Sequence, residues 1–145
     1  MSPAGTSICW GRPQRGLMLG LSAHETIAGF HLKNVGADPL NVLSHVSADI
    51  DHLDWYELKI MNQQGIARVL RFIDDRDKAG FVKVHLSAGE SIHHSVNVCE
   101  WARRPINSEE ELARGRYEVW ASYEVTIPDD NWTGSLKAGP VAMTN

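Results

Sequence analysis

The residues with the clearest chemical potential are His24-Glu25-Thr26-Ile27-Ala28, which begin like the zincin motif. There, two histidines one helical turn apart hold zinc and the glutamate activates water. Ala28 stands where the second histidine must be, and the alternation that follows is that of a strand, which carries residues four apart along an extended chain rather than around a helix. His24 therefore reads as a loop residue. His93 and His94 are neighbours in an alternating run, so they point to opposite faces: His94 joins Ile92 and Val96 as a core histidine, and His93 is solvated.

Asp49, Asp51 and Asp54 are spaced as oxygen ligands of a hard cation, and Asp74, Asp75 and Asp77 form a second acidic group. The first run lacks the glycine and the final glutamate of an EF-hand loop. Both groups read as solvated connections, with bound calcium as the alternative. A carboxylate pair for glycoside hydrolysis depends on a separation in space that the sequence does not display. No Gly-x-Ser-x-Gly elbow, cysteine-nucleophile signature or Gly-rich phosphate loop is present. The expectation is a protein without catalytic residues, cofactor or bound transition metal.

Five tryptophans, Trp10, Trp55, Trp101, Trp120 and Trp132, are many for 145 residues. Large aromatics are mostly buried, so the expected role is to finish the ends of a core; exposed tryptophans would point instead to a small-ligand or carbohydrate-binding module. Trp120 lies on the strand face opposite Tyr117, Val119 and Tyr123, where it packs under a covering loop or faces a partner.

The elements that must position these residues are strands. Leu17, Leu19 and Leu21; Ala28, Phe30 and Leu32; Ile92, His94, Val96 and Val98; and Tyr117, Val119, Ala121, Tyr123 and Val125 each recur with period two. Further strands are expected at 40–43, 56–61, 66–70, 81–86 and 141–143, separated by turn-formers at 35–39, 62–65 and 87–90. A single turn of helix is expected at 107–112, where Asn107 or Ser108 caps and Glu109 to Glu111 suit the positive end of the dipole. The predicted organisation is a loose lead over 1–15 and one domain over 16–145. The predicted fold is all-β, an antiparallel immunoglobulin-like sandwich of about seven to nine strands. Leu112-x-x-Gly115-x-Tyr117 at the head of the last long strand run predicts a tyrosine corner.

Composition bounds the partners. A net charge of −4 with scattered Lys and Arg excludes recruitment to nucleic acid or to an anionic membrane surface. No basic-then-apolar leader opens the sequence as written, and no run reaches the length of a membrane span, which predicts a cytoplasmic protein, or an extracellular one if a signal has been removed. Cys9 and Cys99 have no metal-site spacing and read as two thiols, with a bridge between them as the alternative.

Three stretches, Phe30-His-Leu-Lys-Asn-Val-Gly-Ala-Asp-Pro-Leu-Asn-Val-Leu, Leu86-Ser-Ala-Gly-Glu-Ser-Ile and Leu112-x-x-Gly-x-Tyr-x-Val, resemble the immunoglobulin-like domain at the N-terminal side of deuterolysin-type and peptidyl-Lys metalloendopeptidases. That domain also occurs alone in bacterial proteins. The likeness covers about 30–143, and Trp132-Thr-Gly-Ser-Leu-Lys-Ala-Gly-Pro-Val resembles its last hairpin. The likeness is to the sandwich domain and not to the catalytic one, so the resemblance implies an accessory, pro-region-like or inhibitor-like module.

Function is therefore expected to be recognition of another protein through loops. If successive strands alternate in direction, the turns at 35–39, 62–65 and 87–90 share one end with the 127–134 connection. The other end gathers His24, the two acidic loops and 101–114. It offers Trp101 as an aromatic anchor with Arg103, Arg104, Asp51, Asp54, Asp75, Arg76 and Asp77.

Overall fold

A computed structural model describes residues 7–43, 53, 55–72, 83–127 and 130–145. Asp49, Asp51, Asp54, Asp74, Asp75, Arg76 and Asp77 lie outside the described residues. The ten described strands are β1 (Cys9–Trp10), β2 (Leu17–His24), β3 (Ile27–Asn34), β4 (Leu40–Leu43), β5 (Tyr56–Met61), β6 (Ala67–Arg71), β7 (Lys83–Leu86), β8 (Ser91–Asn97), β9 (Arg116–Val125) and β10 (Gly134–Thr144). One four-stranded sheet runs β1-β2-β3-β8, a second runs β10-β9-β5-β6, and β4 pairs with β7. Every pairing is antiparallel. The architecture is the all-β antiparallel sandwich that the alternation predicts. Among the described residues no helix is long and apolar enough to cross a membrane.

Period two does the sorting. Leu17, Leu19 and Leu21 of β2, Phe30 and Leu32 of β3, Leu58 and Ile60 of β5, and Val119 and Tyr123 of β9 all turn inward and are buried. Phe30, Tyr56, Tyr123 and Trp132 form a chain of ring contacts through the core, with centroids 4.7, 4.8 and 5.8 Å apart. Such pairs add about 0.5–1.5 kcal/mol each to the burial of their area. In β10 the parity changes at a bulge between Ala138 and Val141, so Leu136 and Ala138 before it and Met143 after it all reach the core. That is why a strand expected only at 141–143 runs from Gly134.

Several expectations are corrected. The lead is tied down from Cys9 onward: β1 pairs with β2, the Trp132 indole N–H donates to the Gln14 carbonyl at 3.0 Å, and the Ser135 N–H donates to Gln14 Oε1 at 2.9 Å. One reading needs no correction: Cys9 and Cys99 are the two free thiols expected, β1 lying at one edge of its sheet while Cys99 follows β8 at the opposite edge. His24 ends β2 rather than sitting in a loop, and Glu25-Thr26 makes the turn, with Glu25 at φ 54°.

Strict alternation of direction also fails. Both β4 and β5 start on the side of the 127–134 connection: the Trp132 N–H donates to the Asn41 carbonyl, and the Glu124 N–H to the Trp55 carbonyl. Met61 therefore pairs with Glu118 near the start of β9. The 62–65 turn lies beside the 98–115 segment, not beside the 35–39 turn.

Candidate functional site

The longest described connection, 98–115, leaves β8 and returns as β9. Asn97 starts it as a helix cap: its Oδ1 accepts from the Glu100 N–H at 3.1 Å, and Glu100 suits the first turn of α1 (Val98–Ala102). Asn-x-x-Glu is a capping signal that the alternation of β8 obscures, so the helix falls at 98–102 and not at the expected 107–112. At 105–107 the chain makes a 3₁₀ turn, and Ser108 and Glu109 then adopt φ of 71° and 53°, which no helix continues.

Polar bonds centred on the buried Asn107 side chain fix this excursion to β6, the edge strand of its sheet. Asn107 Oδ1 accepts from the Arg71 N–H at 2.7 Å, and its Nδ2 donates to the carbonyls of Arg71 and Trp101 at 2.8 and 2.9 Å. Arg68 Nη2 donates to the carbonyls of Ala102 and Asn107 at 2.9 and 2.7 Å. The return is fixed by the tyrosine corner: the Tyr117 hydroxyl donates to the Ala113 carbonyl at 2.5 Å, with Leu112 buried nearby and Gly115 at φ 140°. Asn145 Nδ2 donates to the carbonyls of Leu112 and Ala113 at 2.8 and 3.1 Å, and Gly115 and Asn145 exchange backbone bonds.

Trp101, expected as a surface anchor, is a core residue only 4% exposed, edge-on to Phe72 at 5.2 Å. Arg104 covers it, its guanidinium 3.8 Å from the ring centroid and its Nη2 3.1 Å from Glu100 Oε1. The pair expected to contact a partner thus packs on itself, and of the described binding candidates Arg103 alone is exposed. Residues of the same segment that were not among the binding candidates complete the surface: Ile106, Glu109, Glu110, Glu111 and Arg114 are all exposed. A cleft of about 390 Å³ opens among Cys99, Arg103, Glu111, Arg114 and Asn145. Burial raises the Cys99 thiol pKa, Arg103 opposes that, and Glu111 adds to it. Among the described residues no group of three or more His, Cys, Asp or Glu side chains is placed to hold a metal ion.

The outer sheet faces carry the rings that reach solvent. Trp132 is buried and Trp55 half-buried. Trp120 lies half-buried on the outer face of the β9 sheet with Lys59 Nζ 5.2 Å from its ring, in a cleft of about 360 Å³ that also includes Glu57 and Lys137. On the other sheet, Trp10, His31 and His93 form a row across β1, β3 and β8. Trp10 meets His31 edge-on at 6.1 Å, and the His31 and His93 rings stack at 5.5 Å with planes 18° apart. Ser22 Oγ lies 2.9 Å from His31 Nε2. Burial lowers the His31 pKa, and His93 lowers it further. His94 turns inward, half-buried against Tyr56 at 6.1 Å, as expected of a core-side histidine.

Fold and geometry together define an all-β antiparallel sandwich with a tyrosine corner and one long anchored excursion. Neither a protein-family model nor a curated protein matches the chain.

Proposed function

We propose that this chain is a non-catalytic binding module that recognises another protein through the 98–115 excursion. One observation carries the reading: a connection much longer than closure requires is anchored at both flanks by Asn107, Arg68 and Tyr117, while Arg103, Ile106, Glu111 and Arg114 remain in solvent. Prior anchoring reduces the ordering cost that a loop meets on binding. Ser108 and Glu109, non-glycine residues in left-handed geometry, add stored strain of the kind that clusters at recognition sites. The mixture of both charges with one exposed aliphatic side chain suits a polar protein contact with a small apolar centre.

The sharper version, peptidase binding or inhibition, rests on the resemblance of the 30–143 motifs to the metalloendopeptidase-associated domain. It is tested by titrating the chain against a deuterolysin-type or peptidyl-Lys endopeptidase and following peptide hydrolysis. Saturable inhibition, weakened in Arg103→Ala/Arg114→Ala, supports it; unchanged hydrolysis at saturating chain removes it. Carbohydrate binding is the second reading. Its favourable feature is Trp120 beside Lys59 and Lys137, but Trp10 lies on the other sheet, so these rings form no common platform.

A further inference from the structure

We infer that the outer face of the β1-β2-β3-β8 sheet holds a late first-row divalent cation, copper(II) foremost, between the imidazoles of His31 and His93. The sequence separates these residues widely, but the register of β3 and β8 makes them direct cross-strand partners. Side chains so paired leave the sheet on one face with Cβ atoms about 4.5–5.5 Å apart. Their rings are already face to face, with centroids 5.5 Å apart and planes at 18°.

A metal–imidazole bond of about 2.0–2.1 Å asks two adjacent ligand nitrogens to stand roughly 3 Å apart. Meeting it requires the exposed His93 ring to turn out of the stack about its Cβ–Cγ bond, because ring lone pairs lie in the ring plane, while His31 keeps its contact with Ser22. Imidazole suits copper, nickel and zinc, and copper(II) leads the affinity order for such ligands.

The surroundings orient the pair. Ser22 Oγ lies 2.9 Å from His31 Nε2, and in the tautomer that donates Nε2–H to it the lone pair is left on Nδ1, the arrangement by which an outer hydrogen bond sets the metal-binding nitrogen. Gly29 is needed for this contact: a Cβ there would lie 2.6 Å from Ser22 Oγ and 3.1 Å from His31 Nε2. On the opposite side Trp10 abuts His31. His93 is exposed, so water can fill the remaining coordination positions. The site is remote from 98–115 in role, and its failure leaves the binding reading intact.

The test is calorimetric titration of the chelator-stripped chain with copper(II) and with nickel(II), paired with thermal unfolding. The expected result is one saturable copper equivalent, weaker nickel binding at the same site, and a rise in Tm, because an ion chelated only by the folded pair stabilises it in proportion to ln(1 + [metal]/Kd). His93→Ala and His31→Ala should each weaken copper binding at least tenfold and remove the Tm rise. Ser22→Ala should weaken it severalfold without abolishing it, and His24→Ala and His85→Ala should leave it unchanged. No saturable copper binding, or a site whose affinity survives His93→Ala and His31→Ala, overturns the proposal.

Discussion

The side chain of Asn107 completes the backbone of Arg71 as a neighbouring strand would: its Oδ1 accepts from the Arg71 N–H at 2.7 Å and its Nδ2 donates to the Arg71 carbonyl at 2.8 Å. An edge strand offers unpaired backbone groups to any other chain. One buried amide covers part of the β6 edge and, through its third bond to the Trp101 carbonyl, fastens α1 to the same place.

Asn107→Ala should therefore destabilise the fold by about 2–4 kcal/mol, since three hydrogen bonds worth about 0.5–1.5 kcal/mol each are lost. Urea denaturation measures this. A midpoint equal to the parent's would show that the excursion is not anchored through Asn107.

Tyr117→Phe should cost about 1 kcal/mol, the low end for a lost buried hydrogen bond, because the Ala113 carbonyl keeps Asn145 Nδ2 as a second donor. Tyr117→Phe/Asn145→Ala should lose more than the sum of the single changes. Strict additivity in the double-mutant cycle would remove the shared carbonyl as the reason.

The tyrosine corner was legible in sequence because Leu112, Gly115 and Tyr117 are local: spacing alone brings the hydroxyl back to Ala113. The same holds for the period-two runs of β2, β3 and β9. The environment of Trp101 was not legible. A tryptophan between charged residues looks exposed until the segment is known to fold back on β6, and that depends on Arg68 and Asn107, which are distant from each other in sequence. The His31–His93 pair was hidden for the same reason, since strand register across 61 intervening positions has no local mark. Alternation of strand direction failed between β4 and β5, where the chain passes between different sheets.

The Tyr123 hydroxyl donates to the Leu43 carbonyl, and burial raises its pKa far above the ordinary 10, with that backbone bond opposing the shift. A raised folded-state value means that stability is intact below the unfolded value and is lost as pH rises. Unfolding free energy should fall progressively above pH 10, and Tyr123→Phe should flatten that fall while costing about 1–3 kcal/mol at neutral pH. An equally steep alkaline fall in the variant would assign it elsewhere.

His31 gives the opposite sign. Its pKa lies below the ordinary 6.5 because burial and His93 disfavour the imidazolium, so the unfolded chain takes up the proton first. In chelator-containing buffer, this contribution to stability is complete above pH 6.5 and is lost as pH falls through the lowered folded-state value. His31→Gln should remove that component from the stability–pH curve; an unaltered curve between pH 7 and 5 would contradict it.

The central claim, that the 98–115 excursion meets a protein partner, is tested most directly by photo-crosslinking in a lysate of the source cells. A photoreactive residue is placed at 103, 106, 111 or 114, and at 59 or 137 on the outer face of the β9 sheet, in chains shown to unfold at the parental midpoint. The account predicts one recurring protein adduct from the excursion positions, competed away by unlabelled chain and absent from 59 and 137. Adducts of equal yield at 59 and 137, or none that unlabelled chain competes from 103, 106, 111 and 114, would contradict it.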